Sequence, residues 1–189
     1  MKALRRLGAL LLLAGACLSA RAVYLHAKAQ LAEVLIRRAW EMSVQSGKVQ
    51  PPWSWADTYP IARMRIPRLG FDEMVLEDAS PRNLAFGPAR LLSGAEFGKP
   101  GNVIIAGHRT TWFRSLEAVT KDDAIEVEWF EPGSSGVRRR SYTVQDIRVT
   151  DPDDVSLLQP SSEDLLTLIT CYPFGPRPGS PERFVVRAR

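Results

Sequence analysis

The chain has 189 residues, of which 45% are hydrophobic, and a formal net charge of +4. A chain of this length buries one hydrophobic core and falls within the usual ~100–200 residues of a single domain. Apart from the N-terminus and Arg138–Arg140, its basic residues are scattered, without the aromatic-interleaved basic stripe that binds nucleic acid. These features predict one folded domain and no nucleic-acid partner.

Residues 1–25 are typical of an export segment. Basic residues precede an apolar run from Leu7 to Ala20, which is the order found in Sec-type signals. Two outcomes stay open, because Ala20–Ala22 resembles a cleavage site of a signal peptide, whereas Val23–Leu25 extends the run into an uncleaved signal anchor. We favour the anchor, which predicts a single-pass protein of the inner (cytoplasmic) membrane with its folded domain on the periplasmic or extracytoplasmic side.

Residues 26–52 follow the export segment as a helix and a linker. From Ala22 to about Ser46, apolar residues recur at helical spacing with charged residues between them. Gly47 and Pro51-Pro52 then predict the end of the helix. This region is interpreted as a stalk, or as a helix packed on the domain that occupies residues 53–189.

From Trp53 onward, short β segments alternate with turn residues. A short helix is expected at Phe113–Val119, and a hairpin turn at Gly133–Gly136. This spacing predicts a mainly β domain, an antiparallel or mixed β-barrel. The predicted strands are Ala62–Ile66, Glu73–Leu76, a short irregular Pro88–Leu92, Asn102–Gly107, Ala124–Phe130, Ser141–Val149, Leu165–Cys171 and Arg183–Arg187.

Two cysteines and two histidines limit the chemistry that the chain can carry. Cys17 lies inside the N-terminal apolar run, so Cys171 is predicted to be a free thiol rather than half of a disulfide. A structural zinc site lacks ligands, because the chain has only two histidines and no CxxC pair. No metal or cofactor is predicted.

His108 and Cys171 each stand at the C-terminal end of a predicted apolar strand, and Arg183 opens the last strand. Strand ends hold catalytic groups well, because the scaffold fixes the backbone while the last side chain reaches a cleft. A thiolate is a nucleophile, an imidazole exchanges its proton, and a guanidinium stabilises a developing oxyanion. The three residues therefore predict a cysteine acyl-transfer site.

Other interpretations stay open at this point. Free cysteine is among the most buried residue types, so an inert core thiol is the commoner role for a single cysteine. The chain is then either a cysteine acyl-transfer enzyme or a non-enzymatic exported β-barrel that serves as a binding or assembly module. A hydrolytic cysteine peptidase is a third alternative.

Two segments carry a resemblance to a known family. TLITC, at Thr167–Cys171, is followed twelve residues later by Arg183 and resembles the active-site signature of sortases, the membrane-anchored cysteine transpeptidases. GNVIIAGHRT, at Gly101–Thr110, resembles the histidine motif of that family. The similarity runs from about Ala62 to the C-terminus, and it is strongest to the proteobacterial class GN sortases, named after a dipeptide like Gly101-Asn102.

The resemblance implies a fold, an activity and roles for three residues. The fold would be a sortase-like closed β-barrel of about eight strands with short helices, preceded by an N-terminal membrane or stalk helix. Cys171 would attack the Thr–Gly bond of an LPXTG-like C-terminal sorting signal and form a thioacyl enzyme. His108 would protonate the leaving amine and then activate the incoming one, and Arg183 would hold the substrate and the oxyanion. The partners would be a secreted protein with that signal, an amine acceptor and the membrane, with the enzyme as a monomer.

The resemblance also points to substrate-binding residues. The loop Thr150–Ser162 corresponds to the loop that lines the sorting-signal groove in the family. Its acidic residues invite a calcium hypothesis by analogy with some members, but an Asp-rich loop is more often simply solvated, so we expect no calcium. The acidic residues are Asp151, Asp153 and Asp154. The expected substrate contacts are Val155, Leu157, Leu158 and Pro160 in this loop, with Thr170 and Tyr172 beside the cysteine.

Overall fold

The computed structural model describes residues 2–134, 136–159, 161–175, 179 and 181–189. Within these residues one helix, α1, spans Lys2–Ser46 and is followed by eight strands. The strands are β1 (Pro60–Ile66), β2 (Phe71–Leu76), β3 (Ala89–Arg90), β4 (Asn102–Ala106), β5 (Ala124–Trp129), β6 (Arg138–Thr150), β7 (Leu165–Tyr172) and β8 (Glu182–Ala188). Short 3-10 helices lie at Pro67–Leu69, Asn83–Ala85, Arg114–Ala118 and Val155–Leu158.

The eight strands form a closed barrel in the order β1-β2-β3-β4-β7-β8-β6-β5. Two neighbouring pairs, β2 with β3 and β4 with β7, are parallel, and the other pairs are antiparallel. The predicted mixed barrel of about eight strands behind an N-terminal helix is therefore confirmed. The helix expected near Phe113 is a single 3-10 segment rather than an α-helix.

Alternation of side chains along the strands builds the core inside the barrel. In β1, Ala62, Met64 and Ile66 are fully buried, while the intervening arginines lie on the outer face. Both faces of β4 are covered, which explains its continuous apolar sequence. Its outer face lies under the β3–β4 loop, where a Cβ on Gly94 would come within 2.9 Å of the Asn102 carbonyl oxygen.

The C-terminal half of α1 packs on the outside of the barrel. Ile36 and Trp40 are buried in a second apolar cluster with residues of β2, β3 and Phe130. The Trp40 and Phe130 rings meet edge to face with centroids 5.7 Å apart. Burying each of these side chains contributes roughly 2–3 kcal/mol, so the helix is fixed to the domain. It ends at Ser46, because Gly47 takes a left-handed φ of 65°.

Candidate active site

Cys171 lies near the end of β7, on the outer face of the barrel. Leu166 and Leu168 point into the core and are fully buried. Since side chains alternate along a strand, Ile169 and Cys171 share the opposite face. Cys171 is a free, half-buried thiol. The strand therefore presents it at the surface rather than inside the core.

Arg183 is the direct register partner of Cys171. In the antiparallel pair of β7 and β8, Cys171 lies opposite Arg183, and on the other side of β8 Arg183 lies opposite Thr150 of β6. Directly opposed residues of an antiparallel pair have Cα atoms about 4.5–5.5 Å apart and side chains on the same face. The Arg183 guanidinium donates through Nη1 to the Glu182 carbonyl oxygen at 3.1 Å. The arginine and the thiol thus occupy neighbouring positions on the barrel surface.

His108 reaches the same level from the other side of β7. β4 and β7 are parallel, with Ala106 paired to Ile169. The Gly107 amide continues the ladder by donating to the Ile169 carbonyl oxygen at 3.2 Å. His108 is therefore at the level of Cys171, two residues beyond the last paired position of each strand. Its side chain is exposed.

The turn that carries His108 folds back sharply. The Phe113 amide donates to the His108 carbonyl oxygen at 3.0 Å. A Cβ on Gly107 would come within 2.7 Å of the Phe113 ring, which is fully buried. Glycine is required before the histidine because only a residue without a side chain lets the strand end pack on this ring.

Thr170 ties the cysteine strand to the histidine turn. Its hydroxyl donates to the Gly107 carbonyl oxygen at 2.7 Å, and the residue is only 3% exposed. The hydrogen bond joins the residue before Cys171 to the residue before His108. Thr170 therefore makes an internal hydrogen bond, and its expected contact with the substrate stays a prediction.

Arg109 makes a second tie that the sequence analysis did not identify. Its guanidinium donates through Nη1 to the Pro173 carbonyl oxygen at 2.7 Å and through Nη2 to the Gly179 carbonyl oxygen at 3.1 Å. The residue after His108 therefore holds the loop that follows Cys171. The only sequence signal was an arginine beside the candidate histidine, and nothing local indicates contacts 64 and 70 residues away.

The predicted substrate contacts in the β6–β7 loop differ in exposure. Val155 is 68% exposed and Leu157 is 4% exposed. Leu158 is partly buried, and Pro160 lies outside the described residues. Among the three described residues, Val155 therefore exposes the most apolar surface, and the substrate contacts stay predictions.

Asn102 holds this loop in place and was also missed as a functional candidate. Its Nδ2 donates to the Leu157 carbonyl oxygen at 3.0 Å, and its Oδ1 accepts from the Thr167 hydroxyl at 2.7 Å. The amide thus links β4, β7 and the loop inside the protein. Its signal in the sequence was a polar residue opening an apolar strand.

Tyr172, the remaining predicted contact, belongs to an aromatic group on the inner side of the same barrel end. Its ring stacks on Phe184 at 6.2 Å, and Phe174 meets Phe184 edge to face at 5.0 Å. Because Tyr172 follows Cys171 along β7, its side chain points to the opposite face of the strand. The ring group closes the barrel behind the thiol.

The acidic residues of the β6–β7 loop have local partners. Hydrogen bonds donated by Ser156 and Thr150 hold the pKa of Asp154 below its usual value. The Asp153 amide donates to Asp151 Oδ1 at 2.8 Å. Among the described residues, no group of three or more His, Cys, Asp or Glu side chains is placed to hold a metal ion.

Comparison with known proteins decides the family. The domain model described as "Sortase domain" matches residues 64–189, which is more than half of the chain. The chain belongs to the sortase family. Sortase D of Bacillus subtilis (strain 168) is 25% identical over 125 residues, which cover 65% of this chain and 60% of that protein.

Solved structures of sortases share the fold. Sortase A from Corynebacterium diphtheriae matches with a TM-score of 0.61 and 29% identity, over 71% of this chain and 61% of that chain. A Clostridium perfringens Sortase D5 transpeptidase matches with a TM-score of 0.66 over 85% of this chain and 98% of that chain, at 19% identity, which bears on the fold alone. The chain spans about 60% of the Bacillus subtilis and Corynebacterium diphtheriae proteins. The assignment to class GN stays a prediction.

The N-terminal helix has the length and composition of a membrane span. Arg6–Ser46 contains an apolar window that none of the rest of the protein covers. A signal sequence near an N-terminus has the same properties, so helix length and hydropathy fit both an anchor and a signal peptide.

Proposed function

We propose that this sortase-family protein is a cysteine transpeptidase that acts on a C-terminal sorting signal resembling LPXTG. The observation that carries the proposal is the register across β4, β7 and β8, with Cys171 opposite Arg183 and His108 at the same level on the neighbouring strand. Three residue types that divide the work of thioacyl transfer are thus side by side on one surface.

In the first half-reaction the Cys171 thiolate attacks the carbonyl carbon of the threonine in the signal. The carbon–nitrogen bond to the following residue breaks, and the His108 imidazolium gives its proton to the leaving amine. The products are a thioester on Cys171 and a free amine. Arg183 donates hydrogen bonds to the carbonyl oxygen while it carries negative charge.

In the second half-reaction an amine, rather than water, accepts the acyl group from Cys171. Neutral His108 takes a proton from the incoming amine as its nitrogen attacks the thioester carbon, and the Cys171 thiolate leaves. One amide bond is broken and one is formed, so the exchange needs no external energy source. The exposed side chain of Val155 would contact an apolar residue of the signal.

We also propose that α1 anchors the protein in the inner membrane as an uncleaved, single-pass segment. The catalytic domain would lie on the extracytoplasmic side, where a secreted protein carrying the signal becomes accessible. The basic residues before the apolar run support this orientation.

The function is tested with a synthetic sorting-signal peptide, with and without hydroxylamine, and with product masses measured. Amine-dependent formation of the hydroxamate by the full chain supports the transpeptidase. Release of the free acid at the same rate with and without amine indicates a hydrolytic peptidase instead. An intact peptide under all conditions contradicts the proposal.

Alkylation separates the enzyme from an inert exported barrel. In a Cys17→Ala background, Cys171 is the only thiol, and iodoacetamide should label it in the folded protein faster with His108 than with His108→Ala. Complete protection of Cys171 would favour the non-enzymatic module.

A further inference from the structure

Helix α1 leaves little distance between the proposed membrane span and the domain. The helix is unbroken, its apolar run extends to Leu25, and the first of its residues buried against the domain is Ala32. Seven residues of helix rise about 10 Å, and the headgroup layer on each side of a bilayer is roughly 5–7 Å thick. The part of the domain that packs beside Ala32 is therefore close to the bilayer surface.

An exposed apolar surface lies at this level. A cleft of about 500 Å³ separates α1 from segments 53–57 and 82–86 of the domain. Trp55 on its rim is 82% exposed, and Leu31 is 58% exposed. We call this region the Trp55 surface, and its lining residues are Lys28, Leu31, Ala32, Leu35, Trp53, Trp55, Asp57, Arg82 and Phe86.

The chemistry of the Trp55 surface fits lipid headgroups. Tryptophan is enriched at membrane–water interfaces, and lysine extends its ammonium toward lipid phosphates while its stem covers apolar surface. Trp53 packs edge to face on Phe86 at 5.4 Å, and Arg82 Nη1 forms an ion pair with Asp57 Oδ2 at 2.5 Å. These contacts hold the two segments together, so Trp55 projects from a fixed platform.

Strand directions place the candidate active site at the same end of the barrel. Arg37 donates to the Asp72 carbonyl oxygen at the start of β2, at 2.9 Å. Gly47, after the end of α1, accepts from the Gly133 amide beyond the end of β5, at 2.8 Å. β2 and β5 therefore run in the same direction as α1. β3 is parallel to β2, and β4 is antiparallel to β3, so β4 and its parallel neighbour β7 run back toward the N-terminal half of α1.

A hydrogen bond connects the histidine turn to the Trp55 surface. Trp112, four residues after His108, donates through Nε1 to the Leu84 carbonyl oxygen at 2.9 Å. Leu84 belongs to segment 82–86, which forms one wall of the cleft. The membrane-side surface and the candidate active site are thus parts of one rigid barrel end.

We propose that the Trp55 surface docks in the headgroup layer of the bilayer and holds the barrel end with His108, Cys171 and Arg183 against the membrane. The site then accepts polypeptide segments as they leave the bilayer surface. The inference rests on the membrane anchor proposed above. It implies that the domain has a fixed orientation on the membrane and is not held away from it by a stalk.

The test uses the full chain in phosphatidylcholine/phosphatidylglycerol vesicles that contain lipids brominated near the headgroup. Bromine quenches tryptophan emission at short range, so we expect the wild-type protein to be quenched and Trp55→Phe to lose most of that quenching. Trp129→Phe is the matched control. Trp129 is buried near the far end of α1, and its Nε1 has no hydrogen-bond partner within the described part of the chain, so the exchange removes no hydrogen bond.

The outcomes separate this inference from the proposals on which it rests. Protein that is not retained in vesicles after alkaline washing overturns both the anchor and the docking. Retained protein whose quenching is unchanged by Trp55→Phe overturns the docking alone. A Trp55 emission that is blue-shifted yet unquenched also overturns it, because a second copy or another protein then covers the surface. Peptide cleavage in detergent reports on the transpeptidase separately.

Discussion

At the end of the barrel where β1 and β4 begin, a cleft of about 420 Å³ is lined by Tyr59, Trp129 and a pair of charges, the half-buried Glu77 and the buried Arg90. Arg90 binds both carboxylate oxygens of Glu77 and also donates to two backbone carbonyl oxygens of the β3–β4 loop. The Arg90 charge is therefore neutralised and hydrogen-bonded inside the fold. At the opposite end of the barrel, Cys171 near the end of β7 and His108 just after β4 lie at the surface.

Under the proposed function, concavity and buried charge do not by themselves mark the reacting site. In the cleft, the charged groups satisfy one another and fix a loop. At the strand ends, the ties are made by neighbouring residues, Thr170 and Arg109, and leave the thiol and the imidazole at the surface. Four substitutions test this difference between the two ends of the barrel, and they follow from the largest expected effect to the smallest.

Arg183→Ala should lower kcat by about 10²–10³, equivalent to about 2.7–4 kcal/mol, because a donor to the oxyanion is lost. Arg183→Lys should restore little, since an ammonium lacks the planar fork of a guanidinium. The measurement is steady-state cleavage of the sorting-signal peptide.

Arg187→Ala is the matched control for Arg183, because Arg187 lies on the same strand and the same face, four residues further along. It should leave kcat within about twofold of the wild type. Equal losses in the two variants would remove the specific role of Arg183.

Glu77→Ala, at the other end of the barrel, should lower the free energy of unfolding by about 3 kcal/mol, because it leaves the buried Arg90 charge without its carboxylate. The kcat of the folded fraction should not change. Urea unfolding and active-site-normalised turnover measure the two quantities. A large loss of kcat at unchanged stability would show that the cleft takes part in the reaction and would contradict the assignment of catalysis to the strand ends alone.

Arg109→Ala should lower kcat about tenfold with little change in unfolding temperature, because the loop after Cys171 loses its tie to the histidine turn. Arg109→Lys should restore only part of the lost kcat, because one ammonium nitrogen cannot reach both carbonyl oxygens. Arg114→Ala, an exposed arginine of the following 3-10 helix, is the control. A change confined to KM would assign Arg109 to substrate binding instead.

The smallest effect concerns Glu73, at the seam between α1 and β2. Burial raises the pKa of Glu73 to about 7, with Arg37 opposing the shift and Glu33 and Asp72 adding to it. The folded state then binds more protons than the unfolded state between about pH 4.5 and 7, so stability should fall as the pH rises through this window.

Glu73→Gln should remove this part of the pH dependence. Denaturant unfolding at pH 5 and pH 8 measures it, and turnover at the strand ends should be unaffected. A wild-type stability that rises between these pH values, with the same slope in Glu73→Gln, would contradict the assignment.

The sequence was sufficient for the strands that carry the site. The apolar runs that end at His108 and Cys171 are local signals, the strand spacing predicted an antiparallel or mixed barrel, and the closed barrel implied by the resemblance is present. The short spacing from Cys171 to Arg183 fits a connection between two adjacent antiparallel strands, β7 and β8. That these residues are direct register partners could not be derived, because register depends on pairings that no local pattern specifies.

The ties around the site were not predictable for the same reason. Thr170 and Arg109 bind backbone carbonyl oxygens more than 60 residues away, and a backbone acceptor leaves no mark in the sequence. Leu157 is buried, and its carbonyl oxygen accepts a hydrogen bond from Asn102, 55 residues away. The sequence predicted substrate contacts at both Val155 and Leu157, and it did not distinguish the exposed valine from the buried leucine.

The role of Cys171 as the nucleophile is best tested by trapping the acyl enzyme. The full chain is mixed with excess sorting-signal peptide without an amine, quenched in acid and measured by intact mass and peptide mapping. We expect an added mass equal to the peptide fragment up to its threonine, attached as a thioester to Cys171 and absent from Cys171→Ala, while Cys17→Ala still forms it. Peptide cleavage by Cys171→Ala at the wild-type rate, or an adduct on another residue, would contradict it.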